Sequence, residues 1–196
     1  MLKGNMNFNK GELSEIYLKD FSKDVFSLGF IDFWSETEDV LLINCLGLYG
    51  EYDGYQIIRI SEISQIDTNS CYANVLLKLS KFKEVKNVSF LEEDFQKNDL
   101  YAYILKKCQK KGIFCSFTFF DSEENENISG KILSVSNGKF ELKFYDFLEG
   151  EKSIQKFDIK NIKKMSFDDQ ENVCLKMLYC NENSMPLNSV GRAPDS

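Results

Sequence analysis

Histidine is absent from this sequence, and proline occurs only twice in 196 residues. Because histidine is the side chain that most often exchanges protons near neutral pH, its absence removes the commonest general acid or base of enzymes. Scarce proline beside 17 phenylalanines and nine tyrosines is typical of an ordered, aromatic-rich globular protein. The composition favours a folded protein that is not an enzyme.

A long apolar run is also missing. Neither the opening MLKGNMNF nor any later stretch has the length that a signal peptide or a membrane helix requires. We therefore expect a cytoplasmic protein without a membrane partner.

Basic residues are outnumbered, 24 against 31 acidic ones, which gives a net charge of −7. This charge repels phosphate backbones and anionic lipid, and it suits a partner with a basic surface. A net charge of this size is also what keeps an ordinary small protein soluble. We expect a protein partner, a basic one if the charge has a binding role, and no nucleic acid.

The six cysteines never form a C-x-x-C pair, and their closest pairs are too far apart for a zinc knuckle. The sequence predicts neither a metal site nor a cofactor. In a reducing cytoplasm such residues behave as small hydrophobic side chains, so we predict that Cys45 and Cys174 are buried and unbridged.

Two parts of the chain resemble each other in order and spacing. Residues 14–33 align with 115–134, so that Gly29 meets Gly130, and three later blocks align in the same order. Those blocks pair 41–45 with 140–144, 58–66 with 157–165, and 74–79 with 172–177. The pattern predicts an internal duplication.

Each repeat alternates apolar and polar residues, as at Phe140, Leu142 and Phe144, which indicates strands with one buried face. Asn137-Gly138 between two such runs is typical of a tight hairpin turn. Four or five short strands leave exposed edges unless they close, which favours a small barrel. Helical spacing predicts two helices, one over 72–83 and one that follows Asp99 and ends at Gly112.

The segment Ile58-Arg59-Ile60-Ser61-Glu62-Ile63 resembles the Ile-Arg-Gly-x-x-Ile pattern of Sm-like domains, with Ile60 where that family has glycine. Gly29 and Gly130 also fall where the Sm-like pattern has a glycine. The run 49–55 is similar to uncharacterised small proteins of Gram-positive bacteria. The RNA pocket of Sm-like proteins uses an Asp-x-x-Met-Asn loop, whereas the turns here read Gly47-Leu-Tyr-Gly and Asp146-Phe-Leu-Glu.

The resemblance implies a mainly β fold with short helices, in which two tandem small Sm-like β-barrels are joined by a helix. We predict a first barrel with a trailing helix over 1–90, a helical linker over 91–112 and a second barrel over 113–184. Residues 185–196 lose both periodicity and aromatic content, so we expect a disordered tail there.

Aromatic residues gather around the glycine-rich turn of the first repeat, and acidic residues lie among them. Aromatic side chains on loops often recognise partners, although they also often simply pack. The predicted partner-binding residues are Trp34, Tyr49, Glu51, Tyr52, Asp53 and Tyr55.

Two acidic loops and one basic helix end are the remaining clusters. Neither Glu36, Glu38 and Asp39 nor Glu123, Glu124 and Glu126 fit a calcium-binding loop, so both sets read as solvated hairpin tips. Lys106, Lys107, Lys110 and Lys111 favour nucleic acid, but lysines at the end of a helix are already explained by the helix dipole.

These patterns provide no catalytic constellation. They favour a non-enzymatic protein-binding module, in its most concrete form a cytoplasmic immunity or antitoxin-like adaptor. The alternatives are an RNA-binding, Sm-like regulatory protein and a hydrolase whose site the sequence does not reveal.

Overall fold

A computed structural model describes residues 8–19, 26–92, 95, 99–120 and 127–180. The described residues form a mostly β structure. Its strands are β1 (Leu13–Leu18), β2 (Phe26–Ser35), β3 (Val40–Leu46), β4 (Tyr52–Ile58), β5 (Ile63–Asp67), β6 (Phe114–Phe119), β7 (Ile128–Ser136), β8 (Lys139–Asp146), β9 (Gly150–Asp158) and β10 (Ile162–Phe167). Its helices are α1 (Cys71–Phe82), α2 (Leu100–Lys111) and α3 (Gln170–Cys180).

The ten strands form one antiparallel sheet in the order β5-β1-β2-β3-β4-β10-β6-β7-β8-β9. The predicted pair of tandem barrels is therefore wrong: the sheet is continuous and does not close. The reason lies at its centre, where β4 pairs with β10, for example Ile58 with Lys164 and Tyr55 with Phe167. In the predicted barrels, the edge strands of each repeat pair with each other. Here the edges of β4 and β10 pair across the two repeats instead, which satisfies their backbone hydrogen bonds.

The order of strands is nevertheless the same in both halves of the sheet, β5-β1-β2-β3-β4 and β10-β6-β7-β8-β9. Gly29 on β2 lies opposite Cys45, and Gly130 on β7 lies opposite Phe144. An origin by duplication, the kinship with Sm-like domains and the boundaries at residues 90 and 113 stay predictions. Strands from before residue 90 and from after residue 113 pair in one continuous sheet.

Both glycines lie where two strands approach very closely. A Cβ atom on Gly29 would meet the carbonyl oxygen of Asn44 at 2.6 Å, and one on Gly130 would collide with the carbonyl oxygen of Lys143. Real Cβ atoms do not approach backbone atoms so closely. Each position therefore needs a residue without a side chain.

Helix α2, which lies in the predicted helical linker, is part of the main core. Leu100, Ile104, Leu105 and Cys108 are fully buried, and they pack in one cluster with residues of β3, β4 and the second half of the sheet. Its ends agree with the prediction, since Asp99 Oδ1 accepts from Ala102 N at 3.1 Å and Gly112 ends the helix with a positive φ. The helix therefore ties the two halves together.

Two local predictions for the first helix and the second hairpin are also confirmed. Helix α1 begins after Ser70, whose hydroxyl accepts from Ala73 N at 2.9 Å. Asn137 and Gly138 both adopt positive φ in the turn between β7 and β8. Phe140, Leu142 and Phe144 are buried, as their alternation indicates.

Arg59 joins the halves at the end of β4. Its Nε donates to Ile162 O at 3.0 Å, and one Nη donates to Ile159 O at 3.3 Å. The guanidinium also lies over the ring of Tyr101, 4.6 Å from its centroid. One side chain thus satisfies carbonyls of the second half from a strand of the first.

Of the two cysteines predicted to be buried, Cys45 is buried and free, whereas the prediction for Cys174 is wrong because that side chain is exposed. The sequence alignment pairs Cys174 of α3 with Leu76 of α1, which is buried. In the structure Leu175 is the buried residue of α3, so the structural match between the two helices differs from the sequence alignment by one residue. Glu123, Glu124, Glu126 and the tail 185–196 lie outside the described residues. Within those residues, the structure has no helix that is long and apolar enough to span a membrane.

Candidate protein-binding surface

The six residues predicted for partner binding do not form one cluster. Trp34 lies on β2 opposite Leu41, whereas Tyr52 lies on β4 opposite Leu46. Leu41 and Leu46 are five positions apart on β3, a distance of roughly 16 Å along an extended strand. Trp34 packs instead against Phe8, with ring centroids 6.1 Å apart, at the edge of the first-half core.

Tyr55 is a core residue. Only 5% of it is exposed, and its hydroxyl donates to Val88 O at 2.8 Å. Its ring stacks on Phe167 of the neighbouring strand β10, with centroids 5.4 Å apart. The alternative that the rings of this segment simply pack therefore holds for Tyr55.

Tyr52 and Asp53 fasten β4 to the start of α3. The hydroxyl of Tyr52 donates to Asp168 Oδ2 at 3.0 Å, and Asp53 Oδ1 accepts from Gln170 N at 3.1 Å. Partial burial, the neighbouring hydroxyl of Tyr55 and the Asp168 carboxylate all raise the pKa of Tyr52. Both residues thus have partners within the chain.

Glu51 is also engaged, while Tyr49 is open to solvent. A carboxylate oxygen of Glu51 accepts from Tyr49 N at 3.0 Å and lies 3.8 Å from Lys83 Nζ. Tyr49 is 69% exposed, and its neighbour Leu48 is 73% exposed. The turn therefore presents one predicted residue, Tyr49, and one that sequence reasoning did not select, Leu48.

Helix α1 carries an exposed apolar stripe beside this turn. Tyr72, Val75, Leu79 and Phe82 follow one another at intervals of three, four and three residues, which places them within about 80° of the helix circumference. Val75 is 54% exposed and Phe82 is 88% exposed. The helix buries a different face against the sheet.

The turn and the helix form one continuous surface. A Cβ atom on Gly50 would meet both the Leu79 side chain and the helix backbone at 2.9 Å, so the turn lies directly on α1. Between them is a pocket of about 280 Å³ with mostly apolar walls. We call the stripe, the exposed turn residues and this pocket the α1 surface: Tyr72, Val75, Leu79, Phe82, Leu48, Tyr49 and the pocket-lining Phe26, Leu28, Leu46 and Leu76.

One signal in the sequence indicates this surface. Eight of the twelve residues of α1 are hydrophobic, which is more than one buried face of a short helix accommodates. The helical spacing of Val75, Leu76, Leu79 and Phe82 does not by itself show which of them are packed. The structure buries Leu76 and leaves the other three on the exposed side.

A polar pocket of about 540 Å³ lies between β4, β10 and α3. Burial raises the pKa of Asp169, and burial with the nearby carboxylates of Asp169 and Asp53 raises the pKa of Glu171. Asp169 Oδ1 accepts from Asn172 N at 2.8 Å and so caps α3. Across the described ranges, no three side chains of the ligating types come together to hold a metal ion.

The other charged clusters have structural partners as well. Glu38 Oε2 accepts from Leu100 N at 3.0 Å at the start of α2, and Asp39 Oδ2 accepts from the hydroxyl of Ser61 at 2.6 Å. Lys107 Nζ lies 3.0 Å from a carboxylate oxygen of Glu92. These groups hold loops and helices in place.

Comparisons of the chain with protein-family models, with curated proteins and with solved structures gave no match. The resemblance to Sm-like domains and to the Gram-positive proteins therefore stays a prediction.

Proposed function

We propose that this protein is a non-enzymatic protein-binding module and that the α1 surface is its contact site. The observation that carries the proposal is the exposed stripe of four apolar side chains on α1, continuous with Leu48 and Tyr49. Soluble monomers rarely expose contiguous apolar patches larger than a few hundred Å², because each Å² of apolar surface in water costs about 25 cal/mol. Such patches typically mark interaction sites.

The same fold does not require such a stripe, as α3 demonstrates. If the buried Asn172 and Leu175 of α3 are matched to the buried Ala73 and Leu76 of α1, Glu171 takes the position of Tyr72. Cys174 and Leu178 then take the positions of Val75 and Leu79. The fully apolar stripe is therefore particular to α1, which supports a binding role over a packing requirement of the fold.

The concrete form that we propose is a cytoplasmic adaptor of the immunity or antitoxin kind. Such a protein acts by docking onto another protein and needs no group that exchanges protons near neutral pH. This form is consistent with the absence of histidine and with charged clusters that serve structural contacts.

Affinity purification from the native cell tests the proposal. The double variant Val75→Gln and Phe82→Gln removes the two most exposed apolar side chains of α1 and keeps a good helix former at both positions. We expect it to lose a partner that the parent retains, with affinity reduced at least about tenfold, because truncating anchor residues typically costs more than 1 kcal/mol each.

The matched control is Met177→Gln with Leu178→Gln on α3, two side chains that are similarly exposed. This control should retain the partner. Equal retention by the parent and the α1 variant would refute the assigned surface.

RNA binding is the second candidate function. Its supporting observation is a groove of about 370 Å³ lined by the lysines of α2 and by Tyr103. One of these lysines, Lys107, is mostly buried, pairs with Glu92 and lies over the ring of Phe90. Lys107 thus already has partners within the chain, and the net charge of −7 opposes the approach of RNA. The α1 surface is therefore the better supported site.

A further inference from the structure

We infer that the α1 surface binds an acidic amphipathic helix of another protein, an inference that rests on the proposed function. Three properties of the surface lead to this partner: its shape, its local charge and its pocket.

The shape of the surface suits a helix. From Tyr72 to Phe82 the stripe runs ten residues along α1, which corresponds to about 15 Å. A straight, narrow apolar stripe of this length matches the apolar face of three turns of another helix, which presents side chains at intervals of three and four residues. The exposed turn with Leu48 and Tyr49 lies directly beside the stripe.

The local charge is opposite to the charge of the whole chain. Residues 71–88 contain four lysines and one glutamate, although the protein carries −7 overall. Lys78 and Lys81 are exposed and lie on the side of the stripe away from the buried face of α1. Glu51 lies on the turn beside the stripe, and the ammonium of Lys83 lies 3.8 Å from its carboxylate. Its negative charge is therefore paired, and the net charge beside the stripe stays positive.

Local charge is what a docked partner meets at contact distance, because charges farther away than about 8 Å are largely screened at physiological salt. An acidic flank on the partner helix would therefore lie against Lys78 and Lys81. Glu51 and Asp53, the acids that the sequence offered to a basic partner, are both engaged within the chain.

The pocket distinguishes a protein from a membrane. Its apolar walls, among them Phe26, Leu28 and Leu46, enclose about 280 Å³ beside Tyr72, enough room for one large apolar side chain. A partner helix can insert such an anchor, whereas a lipid surface offers no fixed side chain to fill a pocket. If two copies of this chain packed their α1 helices antiparallel, the lysine flanks would face each other, and like charges in contact disfavour such a dimer.

Selection from a displayed library of helical peptides of about 16 residues, enough for four turns, tests the inference with the full chain as bait. The selected peptides are then synthesised with a fluorescent label, and their binding is measured by anisotropy. We expect acidic amphipathic sequences, with affinity for the Val75→Gln, Phe82→Gln variant at least about tenfold lower.

Charge reversal is the decisive arm. Lys78→Glu with Lys81→Glu should weaken an acidic peptide about tenfold, and replacing the glutamates of the peptide by lysine should restore binding to this variant but not to the parent. Circular dichroism of each variant verifies that the helix content is kept.

Four results would overturn the inference. If basic or uncharged peptides are enriched and depend on Val75 and Phe82, the acidic partner is wrong while the proposed function stands. If no peptide depends on these residues and affinity purification retains no partner through them, both fail.

The third is co-sedimentation with phosphatidylserine vesicles that the α1 variant abolishes, which would assign the surface to a membrane. The fourth is a dimer in sedimentation analysis that the same variant dissociates, which would assign it to a second copy.

Discussion

Single residues decide how closely the strands of this sheet approach each other. Gly29 leaves no room for a Cβ atom beside the backbone of Asn44, and Gly130 stands in the same relation to Lys143. Both glycines have ordinary negative φ values, so crowding rather than backbone conformation requires them. The sequence comparison aligned the two, but it could not show what they are needed for.

Replacing Gly29 by alanine tests this crowding. We expect the free energy of unfolding to fall by at least about 2 kcal/mol, because the atoms in the way belong to the backbone and cannot rotate aside. Urea unfolding followed by circular dichroism measures the loss. The control is Gly138→Ala, where the space is open and only a positive φ is strained, at a cost of about 1 kcal/mol. A smaller loss at Gly29 than at Gly138 would contradict the explanation.

Glu171 provides a prediction on pH. Burial, Asp169 and Asp53 raise its pKa, so the folded protein disfavours the ionised carboxylate. Stability from this group is complete below the ordinary pKa of 4.5 and is lost as the pH rises through the raised value. Glu171→Gln should therefore be more stable than the parent at pH 7, by about 0.5 kcal/mol or less because solvent screens a partly exposed group. The advantage should vanish below pH 4.5.

Glu92→Gln serves as the opposite case. The hydrogen bond and charge of Lys107 lower the pKa of Glu92, so its stabilising contribution is present at neutral pH and is lost as the pH falls through that lowered value. This variant should be less stable than the parent at pH 7, with the difference shrinking in acid. Unfolding curves at several pH values measure both variants, and a difference that does not change with pH would contradict either assignment.

Sequence patterns predicted residues well where burial alternates within one strand, and less well where the neighbour is distant in sequence. Phe140, Leu142 and Phe144 are buried as their alternation indicates. Tyr52 and Tyr55 look alike in the sequence, yet Tyr55 stacks on Phe167 of β10 and becomes core. That contact depends on a strand pairing more than a hundred residues away, which no local pattern encodes.

At the scale of elements, the pairing of β4 with β10 defines the architecture. The strands and helices themselves are largely predictable, because alternation, capping residues and the Asn-Gly turn are local features. Which edges meet is not local, since every unpaired edge offers the same backbone donors and acceptors. The barrels were a reasonable way to satisfy those edges, and the structure satisfies two of them by joining the halves instead.

Arg59 makes several side-chain hydrogen bonds across this joint. Arg59→Lys should lower the free energy of unfolding by about 2 kcal/mol, because one ammonium cannot reach the spread carbonyls of both Ile159 and Ile162 and at least one hydrogen bond from a charged donor is lost. Lys160→Gln, an exposed change nearby, should stay within about 0.5 kcal/mol of the parent. Equal stabilities of the two variants in urea unfolding would show that the joint does not depend on the guanidinium.

At the scale of the whole molecule, net charge and local charge act on different partners. A charge of −7 opposes approach to a polyanion at long range, while the lysines beside the α1 stripe act only at contact. We therefore expect no measurable affinity for generic single-stranded RNA at physiological salt. Filter binding measures this, and tight binding that weakens steeply with added salt would favour the second candidate function. Loss of such binding in Lys106→Glu with Lys110→Glu would place the RNA on α2.

The joint between β4 and β10 also raises the question of why the sheet ends. In the described part of the chain, β9 holds in the second half the place that β4 holds in the first, and its outer edge is unpaired, as is that of β5. If the free edge of β9 paired with β5 of another molecule, as β4 pairs with β10 within this one, the sheet would continue from molecule to molecule into a fibre or a closed ring. Arg59 immediately precedes the short 3-10 turn Ile60–Glu62, and Asp158 immediately precedes the corresponding turn Ile159–Asn161. A carboxylate only accepts hydrogen bonds, so Asp158 cannot grip the carbonyls of a further half as Arg59 does. The free edge of β9 therefore lacks a counterpart of the Arg59 contacts that accompany the pairing of β4 with β10.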